Sequence, residues 1–375
     1  MSGGLIWLGF LQVAIISLML IPVLYWFRRS FSIKKHGIIG ESYDDSPKIS
    51  LILPMRNESK NVMRKLESII PEIIDNENVE LIVVDSDSPD ETARIAMDFL
   101  IGSQLDNSRW NVENVAIVGK SATINFMLEK INSDIIVISD ADANVLPGWL
   151  EIVTERLSSS DIGVVSGIEV PTNSDSDFFN YFYRRSSNFL RIQESKIDST
   201  PVLEGSLLAW RVDALTDFRL NEKMNADDAQ LGFGAIRRGK RSIIDPRISF
   251  QGFEREKRSS KELVRRSQGL SLALLKNADL VFFSTRPRVK IAIFNALFLY
   301  VLFPWLFLIF SINSMLALVI SPTIFNSWGF FSLVLIASIL TTKRGRSLIF
   351  GIGVSIKAHL QIIKGKRYNS WEPIR

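Results

Sequence analysis

Four short apolar runs constrain this chain more than any other feature. Residues 49–53 are apolar except for Ser50 and lead into Pro54, residues 81–84 stop at Asp85, residues 135–139 stop at Asp140, and residues 162–165 form the fourth run. Stretches with helical spacing, at 59–70 and 90–100, separate them. Short, nearly continuous apolar runs alternating with helical segments predict a parallel sheet covered on both faces. The expected fold class is therefore α/β, with a mostly parallel, Rossmann-like sheet in a domain over residues 46–270. In open sheets of this kind ligands bind beyond the carboxyl ends of the strands. Arg56, Asn57 and Glu58 follow the first run, Asp85 the second and Asp140 the third, so the polar residues gather where a site is expected.

Uncharged stretches flank this domain. Residues 5–27 carry no charge, and Arg28, Arg29, Lys34 and Lys35 follow at once. The length suits a bilayer crossing. A cleaved signal would carry its charges before the apolar run, so residues 1–30 read as a retained anchor, and the basic flank places the next domain in the cytosol. A second apolar region, 290–342, has no charge between residues 291 and 320, breaks at Ser321, Pro322 and Asn326, and resumes at 328–340, as expected of a transmembrane hairpin. Residues 347–363 lie between the basic clusters Lys343, Arg344, Arg346 and Lys364, Lys366, Arg367. If they crossed the membrane, one cluster would be left outside. A helix lying in the interface, within a 347–375 tail, is the preferred reading.

Composition narrows the chemistry. There is no cysteine and there are only 2 histidines, which removes disulfides, thiolate nucleophiles and Cys- or His-built metal sites. A bound metal must be held by oxygen, which points to Mg2+ or Mn2+. The net charge of +4 is too mild to suggest a nucleic-acid partner.

Four segments carry candidate chemistry. In Val84-Asp85-Ser86-Asp87-Ser88-Pro89-Asp90 a strand-end carboxylate can bond a base or ribose, although Ser88 or Asp90 could equally cap the next helix. Asp140-Ala141-Asp142 closes a buried strand with two carboxylates that can share a cation and phosphate oxygens, and that repel each other otherwise. Asp227-Asp228 opens an apparent helix. Adjacent acids there can be caps, or one can be a general base with a raised pKa. Arg265 and Arg266, just before the membrane region, can reach lipid head groups or neutralise a leaving diphosphate.

In this order the segments resemble glycosyltransferase family 2, over about residues 46–270. Pro54-Met55-Arg56-Asn57-Glu58 is similar to the family's Pro-x-x-Asn-Glu, residues 85–92 to its Asp-Asp-Gly-Ser-x-Asp-x-Thr, and Gly119-Lys120-Ser121-Ala122-Thr123-Ile124-Asn125 to its Gly-Lys-x-x-Ala-Leu-Asn. Asp140 and Asp142 match its Asp-x-Asp, Gly205-Ser206 its acceptor-side loop, and Asp227-Asp228 its acidic pair. The resemblance implies a GT-A fold and an inverting mechanism. It implies that Pro54, Glu58 and Asp85 hold the base and ribose, that Lys120 and Asp140 line the nucleotide pocket, that Asp142 binds the metal, and that Asp228 deprotonates the acceptor.

Two departures matter. Ser86 and Asp87 replace the second Asp and the Gly of the first motif. The Gln-x-x-Arg-Trp of processive members is Glu262-Leu263-Val264-Arg265-Arg266 here, lacking the Trp that stacks on a growing polymer. The expectation is transfer of one sugar from a nucleotide-sugar donor to a lipid or polyprenyl-phosphate acceptor. A processive polysaccharide synthase and a non-catalytic nucleotide-sugar-binding subunit remain as alternatives.

Overall fold

The computed structural model describes residues 2–31, 46–170, 178–253, 260–320, 328–366 and 368. Lys34, Lys35 and Arg367, which the charge argument used, lie outside them.

The sheet grows from the apolar runs. Strands β1 (Ile49–Met55), β2 (Val79–Asp85), β3 (Trp110–Asn114) and β4 (Ile135–Ser139) pair in parallel, with β1 between β2 and β4. Beyond β4 the sheet turns mixed. β7 (Leu207–Arg211) runs antiparallel to both β4 and β6 (Ile162–Glu169), β8 (Arg241–Gly252) lies parallel to β6, and β5 (Ala143–Val145) closes the edge antiparallel to β8. The full order is β3-β2-β1-β4-β7-β6-β8-β5. Strand order reverses between β1 and β4, which makes their carboxyl ends the switch point where ligands bind in such sheets.

Alternation along each strand divides the core. Leu51, Leu53, Leu81, Val83, Ile135 and Val137 face one apolar layer, and Ile52, Ile82, Val84, Ile136 and Ile138 face the other. The first layer is covered by α2 (Val62–Ile73), α3 (Thr92–Ile101) and α5 (Trp149–Leu157), the second by α4 (Lys120–Leu128) and α7 (Asp227–Arg237). Each fully buried Leu, Ile or Val stabilises the fold by about 1.5–3 kcal/mol relative to exposure, so two full layers explain why both faces are apolar.

Two local expectations are corrected. β1 does not stop at Pro54 but continues to Met55, with Pro54 opposite Val84 and Met55 opposite Asp85. The first helix begins at Val62, not Ser59. The backbone N–H groups of Asn57, Glu58 and Ser59 donate instead to Ser88 Oγ (2.9 Å), Thr92 Oγ1 (2.9 Å) and Asp90 Oδ2 (3.2 Å). The loop after β2 thus captures the loop after β1 before a helix can form.

The apolar segments are helical. α1 (Ser2–Phe31) contains a stretch, Ile6–Arg29, long and apolar enough to cross a membrane, and Pro287–Ile320 is a second. The latter joins α10 (Pro287–Leu297), a π turn (Phe298–Leu302) and α11 (Phe303–Ile320). Its first turns belong to the globular part, because Val289, Ile293 and Ala296 share a core with Ala229, Phe233 and Ile236 of α7 and with Leu274 of α8 (Ser260–Lys276). A short helix, α9 (Leu280–Phe283), connects α8 to α10. Gln12 on α1 donates to Ser314 on α11 (2.8 Å) and to Ser332 on α12 (Trp328–Thr341; 3.1 Å), and accepts from Asn313 (2.7 Å). Such buried polar contacts tie apolar helices together where no hydrophobic gradient does. α13 (Lys343–Ile363) starts earlier than the expected 347 and returns to the globular part, where His359 Nε2 meets Ser271 of α8 at 3.0 Å. α6 (Phe178–Ile197) lies between, with Tyr25 of α1 donating to its Glu194 (2.8 Å).

Candidate active site

The site assembles at the carboxyl ends of β1, β2 and β4. Asp85 ends β2, is buried, and accepts from Ser88 N at 3.2 Å and from Ser88 Oγ. Burial pushes its pKa up, opposed by the Ser88 hydrogen bonds. Arg56 Nη1 donates to Ser86 O, so the segments that follow β1 and β2 form one wall. Pro54 and Glu58 belong to this wall, and Asn61 Nδ2 donates to Glu58 Oε2 at 2.7 Å. Asp90 takes the capping role, accepting from Thr92 N at 3.1 Å.

The opposite wall is acidic. Gly119, with φ of 135°, turns the chain into α4 in a backbone region that favours glycine, and Lys120 enters the site on the first turn. Lys120 Nζ lies 2.7 Å from Asp140 Oδ1 and 2.7 Å from Asp227 Oδ2. Burial works against its charge, but the two carboxylates outweigh burial and hold it protonated more firmly than a free lysine. This bridge gathers two sequence segments into one cluster. Gly205 brings in the third carboxylate, since a Cβ there would sit 3.7 Å from Asp140 Oδ2 and 3.9 Å from Asp228 Oδ2. Burial, followed by the nearby Asp142 and Asp227, raises the Asp140 pKa against the pull of Lys120. Asp228 is pushed up to about 7, by burial first and by Asp227 second, while Ala229 N donates to its Oδ1 at 2.7 Å.

Asp227 and Asp228 are presented by a loop under local strain. Ala226, just before them, has φ of 69°, a left-handed conformation that is uncommon for a residue with a Cβ. Gln230 stabilises it by accepting from Asn221 N (2.7 Å) and donating to Met224 O (3.2 Å). Gly269 of α8 packs so close that a Cβ there would come within 3.1 Å of Asn225. On the same helix Arg265 is largely withdrawn from water. Burial lowers its pKa, followed by Arg266, and Glu262, Asp227 and Asp140 oppose the shift. It therefore faces the acidic wall, whereas Arg266 pairs with Glu262 at 3.1 Å.

The donor set fits a divalent cation held jointly with phosphates. Among the described residues no group of three or more His, Asp or Glu side chains forms an all-protein cage. Asp140 and Asp142, on one turn, supply the one or two carboxylates that Mg2+-like ions use when substrate phosphates complete the shell. Arg56 Nε and Arg265 Nε are buried without a hydrogen-bond partner among the described residues, as suits donors awaiting phosphate oxygens.

Of the nine candidate residues from the sequence, Lys120, Asp140, Asp142, Asp227, Asp228 and Arg265 gather in one cluster, and Pro54, Glu58 and Asp85 lie at the ends of β1 and β2 and in the loop after β1, at the same edge of the sheet. Sequence reasoning missed the supports. Glu204, before Gly205, is buried between Arg184 of α6 and Arg191, and Arg184 also meets Glu169 at 2.6 Å. Burial opposes ionisation of Glu204, yet the two guanidiniums hold its pKa down to about 2. Lys65 of α2 is fully buried beneath the Asp140–Asp142 turn. Lys65 interrupts an otherwise apolar helix face at 62, 66, 69, 70 and 73, which is the one sequence signal that could have marked it.

Comparison with known proteins bears on the family and the fold. Residues 50–218 match the family model of glycosyl transferase family 2. The glycosyltransferase AglE of Haloferax volcanii is 28% identical over 121 residues, 32% of this chain and 39% of its own length. The 4,4'-diaponeurosporenoate glycosyltransferase of Staphylococcus haemolyticus is 33% identical over 116 residues, 31% of this chain and 28% of its own. The chain thus spans well under half the length of these relatives. A solved mannosyltransferase, PcManGT from Pyrobaculum calidifontis in complex with GDP-Man and Mn2+, superposes with a TM-score of 0.80 at 22% identity, over 95% of this chain and 100% of that one. At that identity the likeness speaks for the fold, and its coverage extends into the apolar helices. With the motif order, the mixed sheet and the family match in agreement, residues 50–218 of this chain form a glycosyl transferase family 2 domain, and the fold is GT-A.

Proposed function

We propose that this protein is an inverting, metal-dependent glycosyltransferase that moves one sugar from a UDP- or GDP-sugar to a lipid or polyprenyl-phosphate acceptor, at the cytosolic face of a membrane that its apolar helices enter. The observation that carries the reading is the cluster in which Lys120 bridges Asp140 and Asp227 while Gly205 sits between Asp140 and Asp228. It supports the reading because the carboxylates proposed for the nucleotide side stand next to a half-buried carboxyl whose pKa, pushed up to about 7, suits proton transfer at neutral pH.

Each group has a part. Pro54, Glu58 and Asp85 line the wall for base and ribose. Lys120, Arg265 and the unpaired Nε of Arg56 offer positive charge to the diphosphate. Asp142, with Asp140, would hold Mg2+ or Mn2+, which when bound supplies Lewis-acid stabilisation of the departing diphosphate. Asp228 accepts the proton of an acceptor hydroxyl, and attack from its side, opposite the leaving diphosphate, inverts the anomeric carbon.

Three observations support a membrane-borne acceptor. Two helices are long and apolar enough to span a bilayer. α1 contacts α6 through Tyr25 and Glu194, which puts the apolar helices beside the domain that carries the site. α13 returns from them to α8, the helix of Arg265. The test is to incubate purified protein with a panel of labelled nucleotide sugars, Mn2+ and native membrane lipid, then extract. Label in the organic phase, on a lipid heavier by one sugar, is the expected result. A ladder of sugars establishes a processive synthase instead, and no metal-dependent consumption of any donor establishes a non-catalytic subunit.

A further inference from the structure

The Asp140–Ala141–Asp142 turn is held from below by a residue that none of the site motifs contains. Lys65 lies on the buried face of α2 with no solvent exposure, among Val62, Leu66 and Ile69. Packing alone asks for an apolar residue there, since an amine buried in a core is costly unless it is well partnered. Its partners are specific. Lys65 Nζ donates to Ser139 Oγ at 2.7 Å and to Ala143 O at 2.9 Å, the residues immediately before and after the acidic turn. Ser139 Oγ in turn donates to Ser206 O at 2.6 Å, and Asp140 N donates to the same carbonyl at 3.2 Å. One nitrogen therefore ties both flanks of the metal turn to each other and, through Ser139, to the Gly205–Ser206 loop. The adjacent Arg64 adds a second hold. Its guanidinium lies 4.3 Å over the Phe253 ring, and Phe253 N donates to Asp142 O at 3.0 Å.

We infer that Lys65 is a positioning residue for the donor–metal complex: by bracketing Ser139 and Ala143 it presets the spacing of the Asp140 and Asp142 carboxylates and their register with the acceptor-side loop. The inference rests on the donor-site reading above. The bracket needs only two N–H donors, which a neutral amine also provides. Burial pushes the Lys65 pKa down to about 7, with Asp140 and Asp142 opposing.

The experiment titrates MnCl2 by calorimetry, at pH 8, into full-length protein saturated with GDP or UDP. Wild type is compared with Lys65→Met, which keeps the volume and loses both donors, and with Ser139→Ala, which keeps the lysine and cuts the link to Ser206. Outer partners of metal-binding groups contribute about 10–100-fold to metal affinity. The expected result is Mn2+ affinity at least tenfold weaker in Lys65→Met and weakened less in Ser139→Ala, with the metal-free thermal midpoint of Ser139→Ala near that of wild type. Unchanged Mn2+ affinity in both variants, even with a lowered thermal midpoint, makes Lys65 a packing residue and overturns the inference. If Lys65→Met does not fold, Ser139→Ala decides alone, and wild-type Mn2+ affinity there overturns it. If wild type takes up neither nucleotide with Mn2+, the donor-site reading fails first, and this one with it.

Discussion

Replacing Asp228 by Asn tests the acid–base assignment with two independent readouts. The amide keeps the size of the carboxyl but cannot take up a proton. General-base catalysis contributes about 10²–10⁴ in rate, so kcat is expected to fall by roughly 100-fold or more, with donor affinity nearly unchanged. With the carboxyl's pKa pushed up to about 7 by burial and by Asp227, wild-type activity is expected to rise with pH through that region, and this limb should disappear in the variant. The second readout is stability, and its sign follows from linkage. A carboxyl whose folded pKa is raised from 3.8 to about 7 binds its proton more tightly in the folded state. Its ionisation therefore costs stability progressively between those two values, and the full cost persists above the upper one. At about 1.4 kcal/mol per pH unit the cost reaches a few kcal/mol at most. Asp228→Asn should accordingly raise the thermal midpoint at pH 8 more than at pH 5, while kcat falls. Loss of donor affinity with kcat retained, or an unchanged acid limb, would make Asp228 a donor contact and leave Asp227 as the candidate base.

Three further outcomes are expected. Asp142→Ala abolishes transfer without lowering the thermal midpoint, because a loop carboxylate adds little to the core, and excess chelator on wild type does the same; full activity in chelator refutes the metal assignment. Glu204→Gln leaves Arg184 and Arg191 buried with their shared charge removed, at a cost of about 3–5 kcal/mol in denaturant unfolding. Since Arg184 and Arg191 hold the Glu204 carboxyl down to about 2, the stability it contributes is present above its unfolded value of 4.5 and fades as pH falls toward 2, so the variant's deficit should shrink in acid. After long incubation with excess donor, mass spectrometry should find the acceptor lipid heavier by one sugar, and a ladder refutes single transfer.

The parts of the fold governed by local pattern were legible in the sequence. Runs such as residues 135–139 alternate between two buried layers, and nothing but a covered sheet strand accommodates them. The positions of most of the nine candidate residues were legible for a related reason: they sit at or just beyond a strand end or at a helix start, where sequence position constrains spatial position, whereas Arg265 lies within α8. What stayed hidden depends on contacts between distant segments. The antiparallel β7 and the edge strand β5 are set by pairing partners far along the chain. The delayed start of α2 follows from Ser88, Asp90 and Thr92 capturing the backbone of residues 57–59. Lys65 and the Glu204–Arg184–Arg191 cluster are charges in the interior, and no periodicity tells which distant group will satisfy a buried charge.

The carboxyl proposed as base also bears on which acceptor the site suits. An acceptor hydroxyl must lose its proton to attack, and a neighbouring carboxylate with a pKa near 7 is matched to that task. A phosphate monoester acceptor is different. Its second pKa is near 6, so at neutral pH it arrives already ionised and needs no base. Beside Asp228 it would also meet Asp227 and Asp140, whose charge is only partly balanced by Lys120. Two cations on α8 or near the diphosphate would have to offset that repulsion, and of the two arginines there Arg266 is engaged by Glu262. The electrostatics of this rim therefore favour a hydroxyl-bearing lipid over a polyprenyl phosphate within the proposed acceptor class. Asp228→Asn separates the two on any acceptor that supports turnover: a hydroxyl acceptor loses about 100-fold or more in kcat, whereas a phosphate acceptor keeps most of its rate and gains affinity from the removal of a like charge.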